Sequence, residues 1–247
     1  MPRAAFIVGA LVALAVMAAA AALWSRTQAR LDTPLAPATA LAGIPQLADP
    51  FRIAFIGTSL TADTSWPSAA AARLQACLGR PVSARVFAKG GATSGWGLSQ
   101  AEPAGAAPFD LILIEFAIND ADLRRGVSLS QSVANHETLI SQLRRAQAGA
   151  VIAMLRLNRA YGTRGLLRPR LGAYERQLSQ LFTSRANGVI DMRPDWAAAI
   201  AAAQRAGTLP AVLPDGLHPT DTAALQINAA GVADAVSAAA GRGPCAP

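Results

Sequence analysis

The sequence predicts a doubly wound α/β domain built on about five parallel strands, and three observations carry that prediction. Short apolar runs rich in β-branched or aromatic residues alternate along the chain with longer alanine-rich or amphipathic segments, the pattern of strands joined by right-handed helical crossovers. The length of 247 residues and a hydrophobic fraction of 52% suit one such domain. No repeat of 20–50 residues suggests a solenoid or a propeller.

The expected strands are Arg52–Ile56, Val82–Ala88, Leu111–Phe116, Val151–Leu155 and Gly188–Met192. The expected helices are Trp66–Leu78, Leu129–Ala146, Leu171–Arg185, Trp196–Ala206 and Asp221–Ala239. In the second helix, Val133, Leu139, Ile140 and Leu143 recur at helical spacing. Parallel sheets of this kind bind ligands at the carboxyl ends of their strands, so chemistry is sought in the loop after each strand.

The formal charge is +7, from 22 basic and 15 acidic residues. Arg3, Arg26 and Arg30 precede the first acid, Asp32, leaving 19 against 15 beyond residue 30. That modest surplus lacks the basic-aromatic interleaving that reads nucleic acid, so no nucleic-acid partner is expected.

The first 24 residues are predicted to be a signal peptide or a membrane anchor. Phe6–Trp24 is an uncharged apolar run of roughly 28 Å if helical, close to the thickness of a bilayer. Small residues at Ala18–Ala22 suit cleavage, while the length suits an uncleaved anchor, and both readings stand. Residues 25–50, with Pro34, Pro37, Pro45 and Pro50, read as a tether, and residues 51–247 as the globular domain. The expected location is outside the cytoplasm, periplasmic or anchored at an inner membrane. Cys77 and Cys245 belong to no metal-ligand spacing; a disulfide between them and a pair of free thiols both remain open.

Four loops stand out. Gly57-Thr58-Ser59-Leu60 follows the first strand, where a serine presents both its hydroxyl and its backbone N–H at the sheet rim; an isolated serine there also serves as a simple helix cap. Lys89–Gly97 follows the second strand with glycines at 90, 91, 95 and 97, which allow close approach of backbone amides to a ligand. Ala117-Ile118-Asn119-Asp120 follows the third, with Asn119 placed to aim an NH2 into the cleft and Asp120 to cap the following turn. Asp215-Gly216-Leu217-His218 precedes the last helix. Of the two histidines, His136 falls within a helix and reads as part-buried packing or as surface, whereas His218 has a carboxylate three residues before it, a spacing that lets Asp215 fix the ring tautomer.

Together and in this order, the four blocks resemble those of the SGNH hydrolases, the GDSL-type esterases and lipases: G-T-S-L at 57–60, Gly91, A-I-N-D at 117–120 and D-G-L-H at 215–218. The resemblance covers roughly residues 51–240. Thr58 stands where the family carries aspartate, Ala117 where it carries glycine, and Lys89 where many members carry asparagine. The resemblance implies a three-layer α/β/α, flavodoxin-like sheet and a serine-dependent carboxylic ester hydrolase that needs no metal and no cofactor. In that scheme Ser59 is the nucleophile, His218 the base, Asp215 its partner, and Ser59 N–H, Gly91 N–H and the Asn119 side chain the oxyanion donors.

The substrate expected for an exported member is a short-chain, acetyl-type ester of an envelope carbohydrate or a similar small molecule. A lysophospholipase, an acyltransferase and a non-catalytic envelope binding protein are the alternatives. Trp96 is a candidate for stacking on a sugar or lining an acyl pocket. Arg156, Arg159, Arg164, Arg168, Arg170 and Arg176 crowd one span, and from it Arg164 and Arg168 are expected to form a basic rim that favours anionic substrates; a solvated charged face is the alternative.

Overall fold

The computed structural model describes residues 2–35, 41, 44, 48–62 and 64–245, without the side chains of residues 2–6, 24 and 27–29. The chain divides into two compact units, Met1–Thr33 and Pro34–Pro247. The first is a helix, α1 (Pro2–Leu31), whose described side chains from Ile7 to Leu23 are all exposed. Among the described residues no helix is long and apolar enough to cross a membrane. The expected membrane-spanning segment is therefore not supported.

Only part of the expected tether, residues 25–50, is described. Pro37 and Pro45 lie outside the described residues, but Leu41 and Ile44 are buried and the Leu35 N–H donates to Asp191 Oδ2 at 3.1 Å. The compact unit that holds these residues spans Pro34–Pro247.

Five strands, β1 (Phe51–Gly57), β2 (Val82–Ala88), β3 (Leu111–Glu115), β4 (Val151–Arg156) and β5 (Val189–Asp191), form one sheet in the order β2-β1-β3-β4-β5, every pair parallel. The predicted strands agree to within a residue or two at each end. β3 and β4 are buried along their whole length and β1 at all but one residue, as continuous apolar runs require when helices cover both faces. β2, at the edge, exposes Ser83, Arg85 and Val86 to differing degrees. The layout is the doubly wound α/β fold that the sequence predicts.

The helices in chain order are α2 (Ser59–Ala62), α3 (Trp66–Leu78), α4 (Ser94–Leu98), α5 (Ala101–Gly105), α6 (Ala117–Asp120), α7 (Leu129–Ala146), α8 (Gly162–Leu166), α9 (Leu171–Arg185), α10 (Arg193–Arg205), α11 (Asp221–Ala224) and α12 (Ala230–Ala239). A π-helical stretch over Leu225–Ala229 joins the last two, where one uninterrupted helix was expected. Pro67 near the start of α3 and left-handed Gly79 at its end give the predicted limits of that helix. α7 begins where Ser128 Oγ accepts the Gln131 N–H at 3.1 Å.

The face that α7 buries differs from the predicted apolar stripe. Its first half buries Ser132, Asn135 and His136, and only its second half buries Leu139, Ile140 and Leu143, with Val133 half-buried. The polar residues are inside because they have partners there. Cys77 on α3 and Cys245 in the C-terminal tail form a disulfide.

Candidate active site

Strand register gathers the candidate residues at one edge. Gly57, the last residue of β1, pairs with Ala88 at the end of β2 and with Glu115 at the end of β3. The chain therefore leaves all three strands side by side, and Ser59, Gly91 and Asn119 follow within two to four residues at the carboxyl edge of the sheet.

Ser59 opens α2, so its N–H has no acceptor within that helix. Its Oγ lies 2.9 Å from His218 Nε2, and His218 Nδ1 lies 2.8 Å from Asp215 Oδ2. Asp215 Oδ1 accepts the backbone N–H groups of His218 at 2.7 Å and Leu217 at 2.9 Å. Partial burial would raise the Asp215 pKa. The His218 N–H, the His218 ring and the Leu217 N–H outweigh that effect and hold it at about 2. Asp215 is thus a carboxylate at any working pH, pinned against its own loop and facing the imidazole.

That loop is held by the segment after β4. Asn158 Nδ2 donates to Leu217 O at 2.8 Å and the Tyr161 N–H to Gly216 O at 2.7 Å. Gly216 has φ +78°, and a Cβ there would sit 2.8 Å from Tyr161 O, so glycine is needed at this approach.

Gly91 lies in a turn closed by the Ala92 N–H on Lys89 O at 3.1 Å and has φ +72°, the left-handed conformation a glycine takes at the third position of a type II turn. Its own N–H is not used by that turn bond. Asn119 is buried and donates one N–H of Nδ2 to Ala92 O at 2.9 Å, which leaves its second N–H for a ligand. Asp120 does not cap its own turn as expected. Its Oδ1 accepts the Ser94 N–H at 2.8 Å, its Oδ2 accepts Ser132 Oγ at 2.6 Å, and Asn135 Nδ2 donates to Ser94 Oγ at 3.0 Å. The polar start of α7 therefore braces the glycine loop against the loop after β3.

Beneath Ser59 lies a carboxyl that the sequence motifs do not include. Glu115 accepts the Thr58 N–H at 2.6 Å, Thr58 Oγ1 at 2.9 Å and Thr61 Oγ1 at 2.8 Å. Burial pushes its pKa up to about 7 against the pull of those hydrogen bonds, with Asp120 adding to the rise. A Cβ on Gly57 would collide with this carboxyl group. The Thr58 hydroxyl thus adds a donor to Glu115 where an aspartate side chain would bring a second negative charge.

Two substrate-binding expectations change. Arg168 is buried, pairs with Asp122 at 2.8 Å and donates to Ile118 O at 2.7 Å and Arg164 O at 2.8 Å; it is a structural cation and not part of a rim. Arg156 is likewise buried, in ion pairs with Glu175 at 3.1 Å and Asp191 at 2.9 Å. Arg159 is buried with its guanidinium 3.7 Å from the centroid of the Tyr161 ring. Only Arg164 of the proposed pair is exposed, and it donates to Asp215 Oδ2 at 3.0 Å. Trp96 is half-buried and packs edge-on against Phe116, with ring centroids 6.3 Å apart. His136 is buried, with Nδ1 2.7 Å from Ser132 O. Among the described residues no group of three or more His, Cys, Asp or Glu side chains is disposed to hold a metal ion.

A hydroxyl, an imidazole and a carboxylate in series, beside unengaged N–H donors, is an arrangement able to perform acyl transfer. A family model for GDSL-like lipases and acylhydrolases matches residues 55–224 of the chain. The chain belongs to that family. It is a carboxylic ester hydrolase of the GDSL type. No curated protein matches the sequence significantly.

Solved structures similar to this GDSL-type chain share its fold at low identity. The acetylxylan esterase Axe2 from Geobacillus stearothermophilus is 18% identical with a TM-score of 0.63, covering 77% of this chain and 95% of its own. A lipase/acylhydrolase from Enterococcus faecalis is 21% identical with a TM-score of 0.58, over 74% of this chain and 93% of that one. A lipase from a goat rumen metagenome is 17% identical with a TM-score of 0.56, over 77% and 97%.

Proposed function

We propose that this GDSL-type hydrolase removes short acyl groups, acetyl above all, from a carbohydrate or similar small ester outside the cytoplasm, through an acyl-serine intermediate. The observation that carries the reading is the unbroken series from Ser59 Oγ through His218 to Asp215, at 2.9 and 2.8 Å. In it, His218 Nε2 takes the Ser59 proton as Oγ attacks the ester carbonyl, and the tetrahedral oxyanion is met by Ser59 N–H, Gly91 N–H and the free N–H of Asn119. His218 then returns the proton to the leaving alcohol, and water repeats the sequence on the acyl-serine. Asp215 orients the ring and stabilises its charged form.

The short-acyl preference draws support from fold likeness to the acetylxylan esterase. Location outside the cytoplasm draws support from the apolar start of the chain and from the Cys77–Cys245 disulfide, a bond suited to oxidising compartments. A lipid esterase is the second reading. It is favoured by Leu123 and Leu166, which are 63% and 57% exposed on segments linked by the Leu123 N–H bond to Leu167 O at 2.9 Å.

The test is hydrolysis of p-nitrophenyl esters of rising chain length and of acetylated sugars by the chain from residue 31 onward, beside Ser59→Ala. Activity on acetyl esters that vanishes in the variant supports the proposal. Activity that rises steadily with chain length favours the lipid esterase, and equal rates in the two proteins overturn the serine mechanism.

A further inference from the structure

Close to the proposed oxyanion donors stands a cation that the mechanism does not use. A Cβ on Gly91 would lie 2.6 Å from Arg125 Nη2 and 3.2 Å from its Cζ, so the Arg125 guanidinium rests against the Gly91 backbone. The side chain is exposed, and among the described residues no carboxylate pairs with it. Its charge is thus available to a ligand bound beside Gly91.

The backbone that delivers it is rigid. Residues Leu123–Arg125 form a 3-10 turn capped by Asp122, whose Oδ1 accepts the Arg124 N–H at 3.0 Å. Asp122 is itself buried and held by Arg168 at 2.8 Å, and the Arg125 N–H donates to Asp122 O at 2.8 Å. Gly126, with φ +66°, turns the chain away immediately afterwards. The buried Arg168 thus fixes the platform from which Arg125 reaches Gly91.

Local charge is unbalanced in the same direction. Arg124, Arg125 and Arg164 all lie near enough to Arg168 to act on its charge, and against these four guanidinium groups stand Asp122 and Asp215. Arg124 and Arg164 also line, with Asp215 and Gly216, an open cavity of about 390 Å³ beside the catalytic loop. The positive charge beside Gly91 comes from Arg125 in the loop after β3.

Resting on the active-site reading above, we propose that Arg125 is a specificity-determining residue that pairs with a carboxylate carried by the ester substrate, next to the scissile carbonyl. Two parallel N–H donors of its fork match the two oxygens of a carboxylate. The preferred substrates are then acidic esters, such as acyl groups on an acidic sugar, over neutral ones of equal size.

The experiment uses paired substrates that differ by one charge: para-acetoxybenzoate against its methyl ester, for charge on the alcohol side, and p-nitrophenyl hemisuccinate against p-nitrophenyl butyrate, for charge on the acyl side. Wild type is expected to prefer the charged member of one pair in kcat/KM. In Arg125→Gln that preference falls about tenfold or more, and Arg125→Lys restores part of it. Absence of a preference in both pairs, or the same preference in Arg125→Gln, overturns the assignment to Arg125 alone when Ser59→Ala still abolishes turnover. Turnover that survives Ser59→Ala overturns the active-site reading, and this proposal with it.

Discussion

Arg164 and His218 meet on one oxygen: Asp215 Oδ2 accepts Arg164 Nη2 at 3.0 Å and faces His218 Nδ1 at 2.8 Å. The arginine side chain is 38% exposed and that of the aspartate 37%, so their ion pair is screened by water and worth little. Arg164→Gln is accordingly expected to change kcat/KM on a neutral acetyl ester by no more than about fivefold. Asp215→Asn removes the partner of the imidazole and is expected to lower kcat by about 10⁴. Because hydrogen bonds hold Asp215 at about 2, no inflection in the wild-type pH–rate profile above pH 3 is expected from it. Equal losses in the two variants would contradict this division of roles.

Asn119 combines two tasks in one amide: one N–H holds Ala92 O at 2.9 Å, and the other is the oxyanion donor of the proposed mechanism. Asn119→Ala is expected to lower kcat by about 10²–10³, the usual cost of one oxyanion donor, with a smaller change in KM. Asp120→Asn leaves the oxyanion donors in place but weakens the tie to the Ser94 N–H and Ser132 Oγ. It is expected to cost less in kcat and more in thermal stability. Steady-state kinetics beside a melting curve separate the two; an Asn119→Ala loss below tenfold would remove that side chain from the oxyanion site.

The difference between these neighbours shows what the sequence made legible. Strands and helices were readable because apolar period and length coincide there: β2, α3, α7 and α9 have the predicted ends. Ser59, Gly91, Asn119, Asp215 and His218 were readable because each follows a strand or precedes the last helix in a recognisable block. Glu115, Ser132 and Asn135 were not, since a polar residue within an apolar strand or an amphipathic helix has no local sign of the partner it will meet. Arg168 was read into a basic rim and Arg125 was passed over for the same reason: composition counts arginines, whereas burial beside Asp122 or exposure beside Gly91 is decided by tertiary packing.

Cys245 ties the end of the chain to α3 across a separation of 168 residues. Its N–H also donates to Asp234 Oδ1 at 2.8 Å, and Ser237 Oγ donates to Gly243 O at 2.6 Å, so hydrogen bonds hold the tail beside the crosslink. Closing so long a loop restricts the unfolded chain, and the double variant Cys77→Ser with Cys245→Ser is expected to lose about 2–4 kcal/mol of unfolding free energy. Reductant should lower the Tm of wild type to that of the variant and leave the variant unchanged. A wild-type Tm indifferent to reductant would show that the crosslink contributes nothing.

Glu115 makes stability depend on pH in a direction opposite to that of most carboxylates. Its ordinary value of 4.5 is raised to about 7 in the fold, chiefly by burial, so the native state favours the protonated form more than the unfolded chain does. The corresponding stabilisation is complete below pH 4.5 and is lost as pH rises through about 7, amounting to about 3 kcal/mol over that window. Glu115→Gln is always neutral and lacks this slope. Urea unfolding of both proteins between pH 4.5 and 8 is therefore expected to give curves that diverge with pH, wild type losing stability relative to the variant. Since Thr58 and Thr61 lean on the same carboxyl, the variant is also expected to loosen the turn carrying Ser59 and to lower kcat. Parallel stability curves would mean that Glu115 stays ionised in the fold, held by its Thr58 and Thr61 donors against the cost of burial.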